Sequence, residues 1–438
     1  MFKQILKQLW FYRRGNAWLF VEMTLIAAAS WFLVNAVWPG IYRTSLPDGY
    51  ETDGVYAVSL NRLSDGQNGY RQEMDTPEQI SVDFHRIGNA LREMPEVQDA
   101  APVGATLPGL NYSNFNWAVV IDTVSRTGDT VSRTGVSYAY HIREAGASDL
   151  ELLGYRQVWP QGAPIEDLPN TVIITEDLAQ ALFPGENPVG RRLSQLSTYQ
   201  EYGWRISGVI APVKVEKDKE YRGFVMYAGP DIVALDEGMS LVWIFRVAPG
   251  VDEEAFIQQA KKIWREDLAF GNWRVASVMP LEENLESAVT DTFMWRALFI
   301  FLLVCILIGV ASFAWLRTRE RRGETGVRRA MGGSVGSIML TQLAEVWILF
   351  AASLIVGLLI VLNVLIFGKI DFCAPGLSSY YVLNVTKESL PVLFEPVLHF
   401  LAVAGIVAGL LLVVVTLSTI VPVAGALKES PADVLKDE

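Results

Sequence analysis

Four long apolar runs are separated by segments of mixed polarity along the chain. They cover residues 17–38, about 293–315, 340–368 and 391–421. Each reaches the roughly 20 residues that a helix needs to cross a hydrocarbon core about 30 Å thick. The pattern therefore predicts four transmembrane helices, which we place at residues 17–38, 292–316, 340–368 and 391–421.

The first run has a competing interpretation as a cleaved signal peptide, because basic residues precede it. The run is longer than the apolar region of roughly 7–15 residues in such peptides. In addition, Val37-Trp38-Pro39-Gly40 is not a small-residue cleavage site. We therefore interpret residues 17–38 as a helix that stays in the membrane.

The placement of Lys and Arg predicts how the chain crosses the membrane. Residues 1–16 are basic and six arginines lie between the second and third runs, whereas residues 369–390 are nearly neutral. Basic residues near membrane ends are retained in the cytoplasm. Residues 1–16, 317–339 and 422–438 are therefore expected in the cytoplasm, with both termini inside. A domain at 39–291 and a short loop at 369–390 are expected outside, most naturally in the periplasm of a bacterium with the chain in its inner membrane.

The N-terminal segment 1–16 has two open interpretations. Its apolar and basic residues alternate as in an amphipathic helix that lies on the inner membrane surface. An ordinary solvated basic tail explains the same composition. The pattern favours neither.

Residues 39–291 alternate strand patterns with helix patterns. The clearest helix covers 76–94, where Thr76 and Gln79 form a capping box, Pro77 occupies the first helical position and Pro95 ends the run. Further helices are predicted at 176–183 and 252–267, and strands at 54–60, 97–103, 117–123, 135–142, 171–175, 204–210, 223–227 and 241–247. The predicted fold class is a membrane α-helical protein with a large extracytoplasmic α+β domain, of two subdomains, inserted between helices 1 and 2.

A seven-residue sequence, Asp-Thr-Val-Ser-Arg-Thr-Gly, occurs twice in tandem at 122–128 and 129–135. An extended hairpin or loop that turns at Gly128-Asp129 is the simplest interpretation, and a ligand-binding role is the less favoured one.

Residues 282–293 contain neither Gly nor Pro, so a helix could continue from the outer domain into the second span. Such a helix, ending near Leu316, would be roughly 50 Å long and could transmit movement across the membrane.

Charge and cysteine content narrow the possible functions. The segment 41–290 holds 21 Lys and Arg against 36 Asp and Glu, a net charge of −15, which argues against nucleic acid as a partner. The two cysteines, Cys305 in the second span and Cys373 in the outer loop, are too differently placed to pair. The outer domain at 39–291 contains no cysteine, so it must be stable through its core alone.

Motifs for catalysis are missing from the sequence. There is no Gly-x-x-x-x-Gly-Lys-Ser/Thr, so the chain does not bind a nucleoside triphosphate by the P-loop mechanism and is not itself an ATPase of that type. There is also no His-Glu-x-x-His, Cys-x-x-Cys or Gly-x-Ser-x-Gly. The histidines His85, His141 and His399 are scattered and lack apparent partners, which indicates structural or surface roles. We therefore expect no enzyme activity, no catalytic residue, no metal site and no cofactor bound by this chain.

Two ionisable residues fall within the predicted spans, Glu22 in the first and Glu345 near the inner end of the third. Charge inside a membrane is costly and often functional. Both residues lie within a turn or two of the inner boundary. Snorkelling or contact with a partner is therefore favoured over a proton path.

The basic segment 317–342 is the most informative part of the chain. An ordinary positive-inside loop would explain its charge. However, Glu and Arg recur at helical spacing, and Gly332-Gly333-Ser334 is typical of a helix C-cap followed by a new helix. This arrangement predicts a segment that docks onto another protein.

The same segment resembles the MacB/FtsX-type ABC transporter permease family, whose cytoplasmic segment typically reads Arg-Glu-Ile-Gly-Val-Arg-Arg-Ala-Leu-Gly-Ala-Ser. The matching residues are Glu324, Gly326, Val327, Arg328, Arg329, Ala330, Gly332 and Ser334. Thr325, Met331 and Gly333 depart from the pattern, and the basic residues that often follow the serine are missing at Val335 and Gly336.

Other segments resemble the same family. Gln342 and Glu345 match a glutamine and a glutamate at the start of its third span, and residues 430–435 are similar to its Pro-Ala-Asp/Glu-x-Leu ending. In the outer domain, residues 94–97, 182–190 and 206–210 resemble its Leu-Pro-Gly-Val, Phe-Pro-x-x-Asn-Pro-Ile-Gly and Val-x-Gly-Val segments. The resemblance covers nearly the whole chain, including the order of one span, an outer domain and three spans.

The resemblance implies a permease that dimerises, with an identical or a paralogous chain, and binds a separate cytoplasmic ABC ATPase that holds ATP and Mg. Closure of the ATPases would move the outer domains. This movement would export or extract cargo, with a periplasmic adaptor and an outer-membrane channel as further partners. As the alternative, it would regulate an extracytoplasmic enzyme or sensor without transport. The ATPase-coupling residues that it implies are Arg319, Glu320, Arg321, Arg322, Glu324, Gly326, Val327, Arg328, Arg329, Met331 and Gly332.

Overall fold

The structure is a computed structural model of the 438-residue chain. It describes residues 11, 13–104, 114–119, 135–195, 204–215, 221–235, 241–281, 322–368 and 383–428, together with scattered positions between 297 and 319. The chain divides into two compact units. The helical unit comprises residues 1–40, 291–377 and 391–438, and the sheet unit comprises residues 41–290 and 378–390.

Helices and strands are numbered in chain order. The helices are α1 (Arg13–Thr44), α2 (Pro77–Arg92), α3 (Asp149–Leu152), α4 (Glu176–Leu182), α5 (Ile232–Leu235), α6 (Glu253–Asp267), α7 (Arg322–Ala330), α8 (Val335–Gly368), α9 (Asn384–Ser389), α10 (Pro391–Phe394) and α11 (Pro396–Lys428). The strands are β1 (Val55–Arg62), β2 (Val97–Val103), β3 (Asn114–Val119), β4 (Gly135–Glu144), β5 (Gln157–Trp159), β6 (Thr171–Thr175), β7 (Arg192–Gln195), β8 (Trp204–Ile210), β9 (Phe224–Gly229), β10 (Val242–Val247) and β11 (Trp273–Pro280).

Among the residues that the structure describes, three helices are long and apolar enough to cross a membrane, within α1, α8 and α11. They coincide with the first, third and fourth apolar runs, and each extends beyond the span that the sequence predicts. The fourth run divides at Glu395, whose Oε2 accepts a hydrogen bond from the Leu398 amide (2.5 Å) ahead of Pro396 at the first position of α11. The predicted span 292–316 falls largely outside the described residues, so a fourth transmembrane helix stays a prediction.

The three long helices α1, α8 and α11 pack through one apolar cluster in the helical unit. Trp31 is fully buried there, and Gly357 of α8 lets the backbone of α1 approach closely. A Cβ atom at position 357 would lie only 2.9 Å from the Thr24 carbonyl oxygen. Small residues allow close contact between helices in a membrane, where hydrophobic burial gives no net attraction.

The sheet unit contains a four-stranded antiparallel part in the order β11-β1-β10-β2. Helix α2 connects β1 to β2, and helix α6 connects β10 to β11, so each helix joins two strands that have another strand between them. This is the topology of two interlocked split β-α-β units. We call it the split sheet.

Residues 104–241 are inserted between β2 and β10 and supply the other strands. Six of them pair in the order β4-β3-β7-β8-β6-β9, and β9 pairs in parallel with β4, which closes a ring. Strand β5 pairs with β8 at its side. We call this second part the strand ring. It belongs to the same compact unit as the split sheet, so the division into two subdomains stays a prediction.

The predicted helix start at residue 76 is confirmed. The Thr76 hydroxyl accepts a hydrogen bond from the Gln79 amide at 3.3 Å, and Pro77 is the first residue of α2. The apolar face of α2 packs on the split sheet, where the Trp243 ring fills the space beside Gly88. The side chain of Asp252 caps α6 in the same way, through the Ala255 amide.

Several sequence expectations need correction or fall outside the described residues. Strands β5, β7 and β11 were not predicted, and the loop predicted at 369–390 contains helix α9 and contributes Leu383 to the core of the strand ring. The tandem repeat lies outside the described part of the chain except for its last residue, Gly135, which begins β4. Residues 1–10 and the proposed helix at 282–296 also lie outside it.

Candidate functional site: the basic helix and turn at 322–338

The basic segment forms a short helix, a tight turn and the start of a long helix. Helix α7 ends in a motif in which the Gly333 amide donates to the Arg328 carbonyl (2.9 Å) and the Gly332 amide donates to the Arg329 carbonyl (3.0 Å). Gly332 has a φ of +90°, a backbone conformation that glycine adopts without steric cost. The predicted helix C-cap at this position is confirmed.

The next helix begins immediately after the turn. The Ser334 hydroxyl accepts from the Ser337 amide at 3.3 Å, and its carbonyl accepts from the Ile338 amide at 3.1 Å. A Cβ atom at Gly333 would lie 2.8 Å from the Arg328 carbonyl oxygen. Both glycines are therefore needed to join α7 to α8 in this geometry.

Apolar and basic side chains lie side by side on this segment. The exposed fraction is 44% for Val327 and 77% for Met331, whereas Gly326 is buried. Arg328 and Arg329 are half-buried, and each has an interaction partner. The Arg319 guanidinium lies 5.6 Å from the centre of the Trp315 ring.

The remaining residues of the predicted set are only partly described. The backbones of Arg322 and Glu324 lie in α7, but their side chains are outside the described part, as are Glu320 and Arg321 entirely. The structure therefore brings Gly326, Val327, Arg328, Arg329, Met331 and Gly332 together on one continuous segment.

The polar residues predicted within the spans differ in exposure. Glu345 is buried and Gln342 is half-buried, and both have interaction partners, whereas Glu22 is half-buried on α1. The expectation that the histidines lack partners was wrong. In the helical unit, His399 Nε2 lies 2.6 Å from the Asn35 side-chain oxygen, which connects α11 to α1.

The sheet unit has a charged cluster that the sequence did not indicate. The Arg143 guanidinium is fully buried and donates to Asp149 (Nη2 to Oδ1, 2.6 Å) and to Asp167 (Nη1 to Oδ1, 2.5 Å). Burial opposes the charge of Arg143, but the two aspartates outweigh it and raise its pKa. The cluster ties β4 and α3 to the segment before β6.

No group of three or more His, Cys, Asp or Glu side chains suited to a metal ion occurs within the described ranges. The basic helix and turn form the candidate site, since exposed apolar side chains and basic side chains lie together there.

Comparison with known proteins identifies the sheet unit. The model of the MacB-like periplasmic core domain matches residues 42–263, just over half of the chain. Among solved structures, the periplasmic region of MacB from Actinobacillus actinomycetemcomitans is 11% identical, covering 55% of this chain and 94% of that chain with a TM-score of 0.34. The extracellular domain of the noncanonic ABC-type transporter YknZ from Gram-positive bacteria is 10% identical, covering 50% and 100% with a TM-score of 0.30. No curated protein matches the sequence.

Apolar helices together with a periplasmic-type α+β domain define a membrane permease component with an extracytoplasmic domain. The match of the periplasmic core domain then settles the family. The chain belongs to the MacB/FtsX-type ABC transporter permease family. Membership implies a membrane location and association with a cytoplasmic ABC ATPase.

Proposed function

We propose that the chain is the permease subunit that converts closure of a separate ATPase into movement of the extracytoplasmic domain, for export or extraction of cargo. The ATPase, rather than this chain, would bind ATP and Mg. One observation carries the proposal. A capped basic helix, α7, presents exposed apolar side chains directly before a helix long enough to cross the membrane.

The composition of this surface suits a protein partner. Val327 and Met331 are four residues apart and therefore lie on one side of the helix. Exposed apolar side chains of this size beside arginines are typical of protein interfaces, in which methionine and arginine are enriched. Arg328 and Arg329 would form charge-assisted hydrogen bonds to carboxylate or carbonyl oxygens of the ATPase.

The turn after α7 supports transmission of movement. Two backbone hydrogen bonds fix Gly332 and Gly333 onto the last turn of α7, and Ser334 begins α8 directly after them without an intervening linker. A displacement of α7 would therefore displace α8. The coupling role extends in this proposal to the rest of the predicted set from Arg319 to Gly332.

The proposed assembly is a dimer of permease chains in a bacterial inner membrane with both termini in the cytoplasm. The partner permease is either identical or paralogous. A periplasmic adaptor and an outer-membrane channel would complete the export path. The support for this arrangement is membership in the family and the basic character of the segments around 1–16 and 317–339.

Charge reversal on α7 tests the coupling surface. We expect the Arg328→Glu/Arg329→Glu double variant of the full chain, solubilised in detergent, to recover at least tenfold less ATPase than the unchanged protein. The matched control is Lys261→Glu/Lys262→Glu on the exposed side of α6, which carries the same charge change. Equal size-exclusion profiles for the two variants would show that folding is intact. Normal ATPase recovery by the α7 variant would contradict the coupling role.

Affinity purification of the unchanged chain from its host, with mass spectrometry of the bound proteins, tests the proposal at the level of function. A P-loop ATPase together with an adaptor or channel protein is the expected result. An ATPase together with a cell-wall enzyme or a sensor would overturn the export role. Absence of an ATPase after mild cross-linking would overturn the whole proposal.

A further inference from the structure

A cavity of about 400 Å³ lies within the sheet unit, where helix α2 meets the segment that follows β4. Volumes of this size are typical of small-molecule sites. The side chains that line it and matter here are His85, Arg92, Asp99, Glu144, Ser148 and Trp243. The split sheet contributes α2 and Trp243, and the strand ring contributes Glu144 and Ser148.

Arg92 provides open hydrogen-bond donors at one end of the cavity. Its Nε donates to the Ala100 carbonyl at 2.9 Å and lies 3.5 Å from Asp99 Oδ1. Its guanidinium lies over the Trp243 ring, 5.2 Å from the ring centre. The two terminal amino groups of Arg92 make no hydrogen bond to any residue in the described ranges. Such a pair of parallel donors matches a carboxylate in bidentate fashion.

Glu144 provides an open acceptor at the other end. Its Oε2 lies 2.7 Å from His85 Nε2, and His85 Nδ1 lies 2.8 Å from the Ser81 carbonyl oxygen. Glu144 Oε1 accepts no hydrogen bond from the described residues, although the side chain is only 23% exposed. The Ser148 hydroxyl, at the start of α3, makes no capping bond. An ammonium group would satisfy this carboxylate oxygen.

The charges of the lining residues balance. Arg92 and a protonated His85 oppose Asp99 and Glu144, so the cavity does not favour a ligand with net charge of either sign. Open donors at one end and an open acceptor at the other favour instead a ligand that carries both charges. Trp243 is fully buried beneath these side chains, with the Arg92 guanidinium over its ring and the His85 ring 6.4 Å from its ring centre.

The distance between the two ends sets the length of the ligand. His85 and Arg92 are seven residues apart on α2, which at 1.5 Å per residue separates their Cα atoms by about 10 Å along the helix. The Arg92 guanidinium lies 5.2 Å and the His85 ring 6.4 Å from the centre of the Trp243 ring, which is consistent with a separation of this order between the two ends. An extended chain advances about 3.3–3.6 Å per residue, so a ligand of two or three residues fits this scale. We propose that this cavity binds a short zwitterionic peptide, with its carboxylate at Arg92 and its ammonium group at Glu144.

Calorimetric titration of the detergent-solubilised full chain with tri-alanine tests this site. We expect saturable binding of one peptide per chain. N-acetyl-tri-alanine and tri-alanine amide should each bind at least tenfold more weakly, because each lacks one of the terminal charges. Absence of saturable binding at millimolar peptide, or equal binding of the capped peptides, would overturn the proposal.

Two variants assign the ends of the peptide. Arg92→Gln should bind tri-alanine and its amide equally, and Glu144→Gln should bind tri-alanine and its N-acetyl derivative equally. The control Glu151→Gln, at an exposed position of α3, should retain both preferences. Retained preferences in the Arg92 and Glu144 variants would overturn the assignment. The site is independent of the coupling proposal, since ATPase recovery tests a different segment.

Discussion

Lys214 of the strand ring contacts residues 43–48, which lie with it in the sheet unit, and replacing it tests the strength of these contacts. The side chain is fully buried, and its Nζ donates to the carbonyl oxygens of Arg43 (2.7 Å) and Leu46 (2.5 Å). It also lies 3.1 Å from Asp48 Oδ1, so all three of its donors are used. Carbonyl groups at a helix C-terminus favour a positive charge.

The expected cost of Lys214→Met follows from these contacts. Hydrogen bonds from a charged donor contribute about 1.5–3 kcal/mol each, and removing one partner of a fully buried ion pair costs about 3–5 kcal/mol. The Asp48 side chain is 32% exposed, so water can replace part of the lost contact, and methionine retains most of the apolar stem. We expect a local loss of about 3 kcal/mol, which corresponds to a factor of about 100 in the opening equilibrium.

Hydrogen exchange at single amides measures this loss directly. The reporters are the amides of Ser45 and Leu46, which donate to the last turn of α1, and the amide at position 214, which donates to the Asp48 carbonyl. We expect these amides to exchange about 100-fold faster in Lys214→Met. Lys262→Met, at an exposed position of α6, is the control and should leave them unchanged. Wild-type exchange in the Lys214 variant would refute the reasoning.

Two further predictions concern helix α2. Gly88→Ala should lower the free energy of unfolding by about 1–3 kcal/mol, because the new Cβ would lie 2.0 Å from the Trp243 ring, whereas Asn89→Ala at the exposed neighbouring position should not. Thermal unfolding followed by tryptophan fluorescence measures both, and equal midpoints would contradict the packing argument. The hydrogen bond to Glu144 raises the pKa of His85 above its usual value near 6.5. The stability that this pair contributes should therefore be complete below about pH 6.5 and be lost as the pH rises through the raised value. Exchange of α2 amides, corrected for intrinsic rates, should show this loss, and His85→Gln should abolish it; an unchanged pH dependence in that variant would exclude His85 as the source.

Local patterns predicted those elements whose determinants lie close together in the sequence. Thr76, Pro77 and Gln79 determine the start of α2 within four residues, and Gly332 with Ser334 determines the turn after α7. In each case the hydrogen bonds join residues at most five positions apart. Sequence patterns contain the information for such contacts.

Contacts between distant residues could not be predicted in this way. The pairing of β4 with β9 that closes the strand ring, and the bond between His85 and Glu144, 59 residues apart, depend on the assembled fold. Strands β5 and β7 have only three and four residues, too few for an alternating pattern to appear. Lys214 could not be singled out either, because the carbonyl groups that it contacts, those of Arg43 and Leu46, are 171 and 168 residues away in the sequence.

The strand ring enters and leaves the split sheet at a single place. Val103 at the end of β2 is paired with Val242 at the start of β10, so the chain that departs after one returns beside it. Insertions whose ends are adjacent place little strain on the host, which is why domain insertion succeeds at such sites. The outer strands of the ring are therefore a module that evolution could enlarge or shrink, whereas Leu152 and Leu153 at the end of α3 share a core with Val242 and Ile244 of the sheet and would have to be retained. The same junction is the natural point at which to graft a ring from another member of the family.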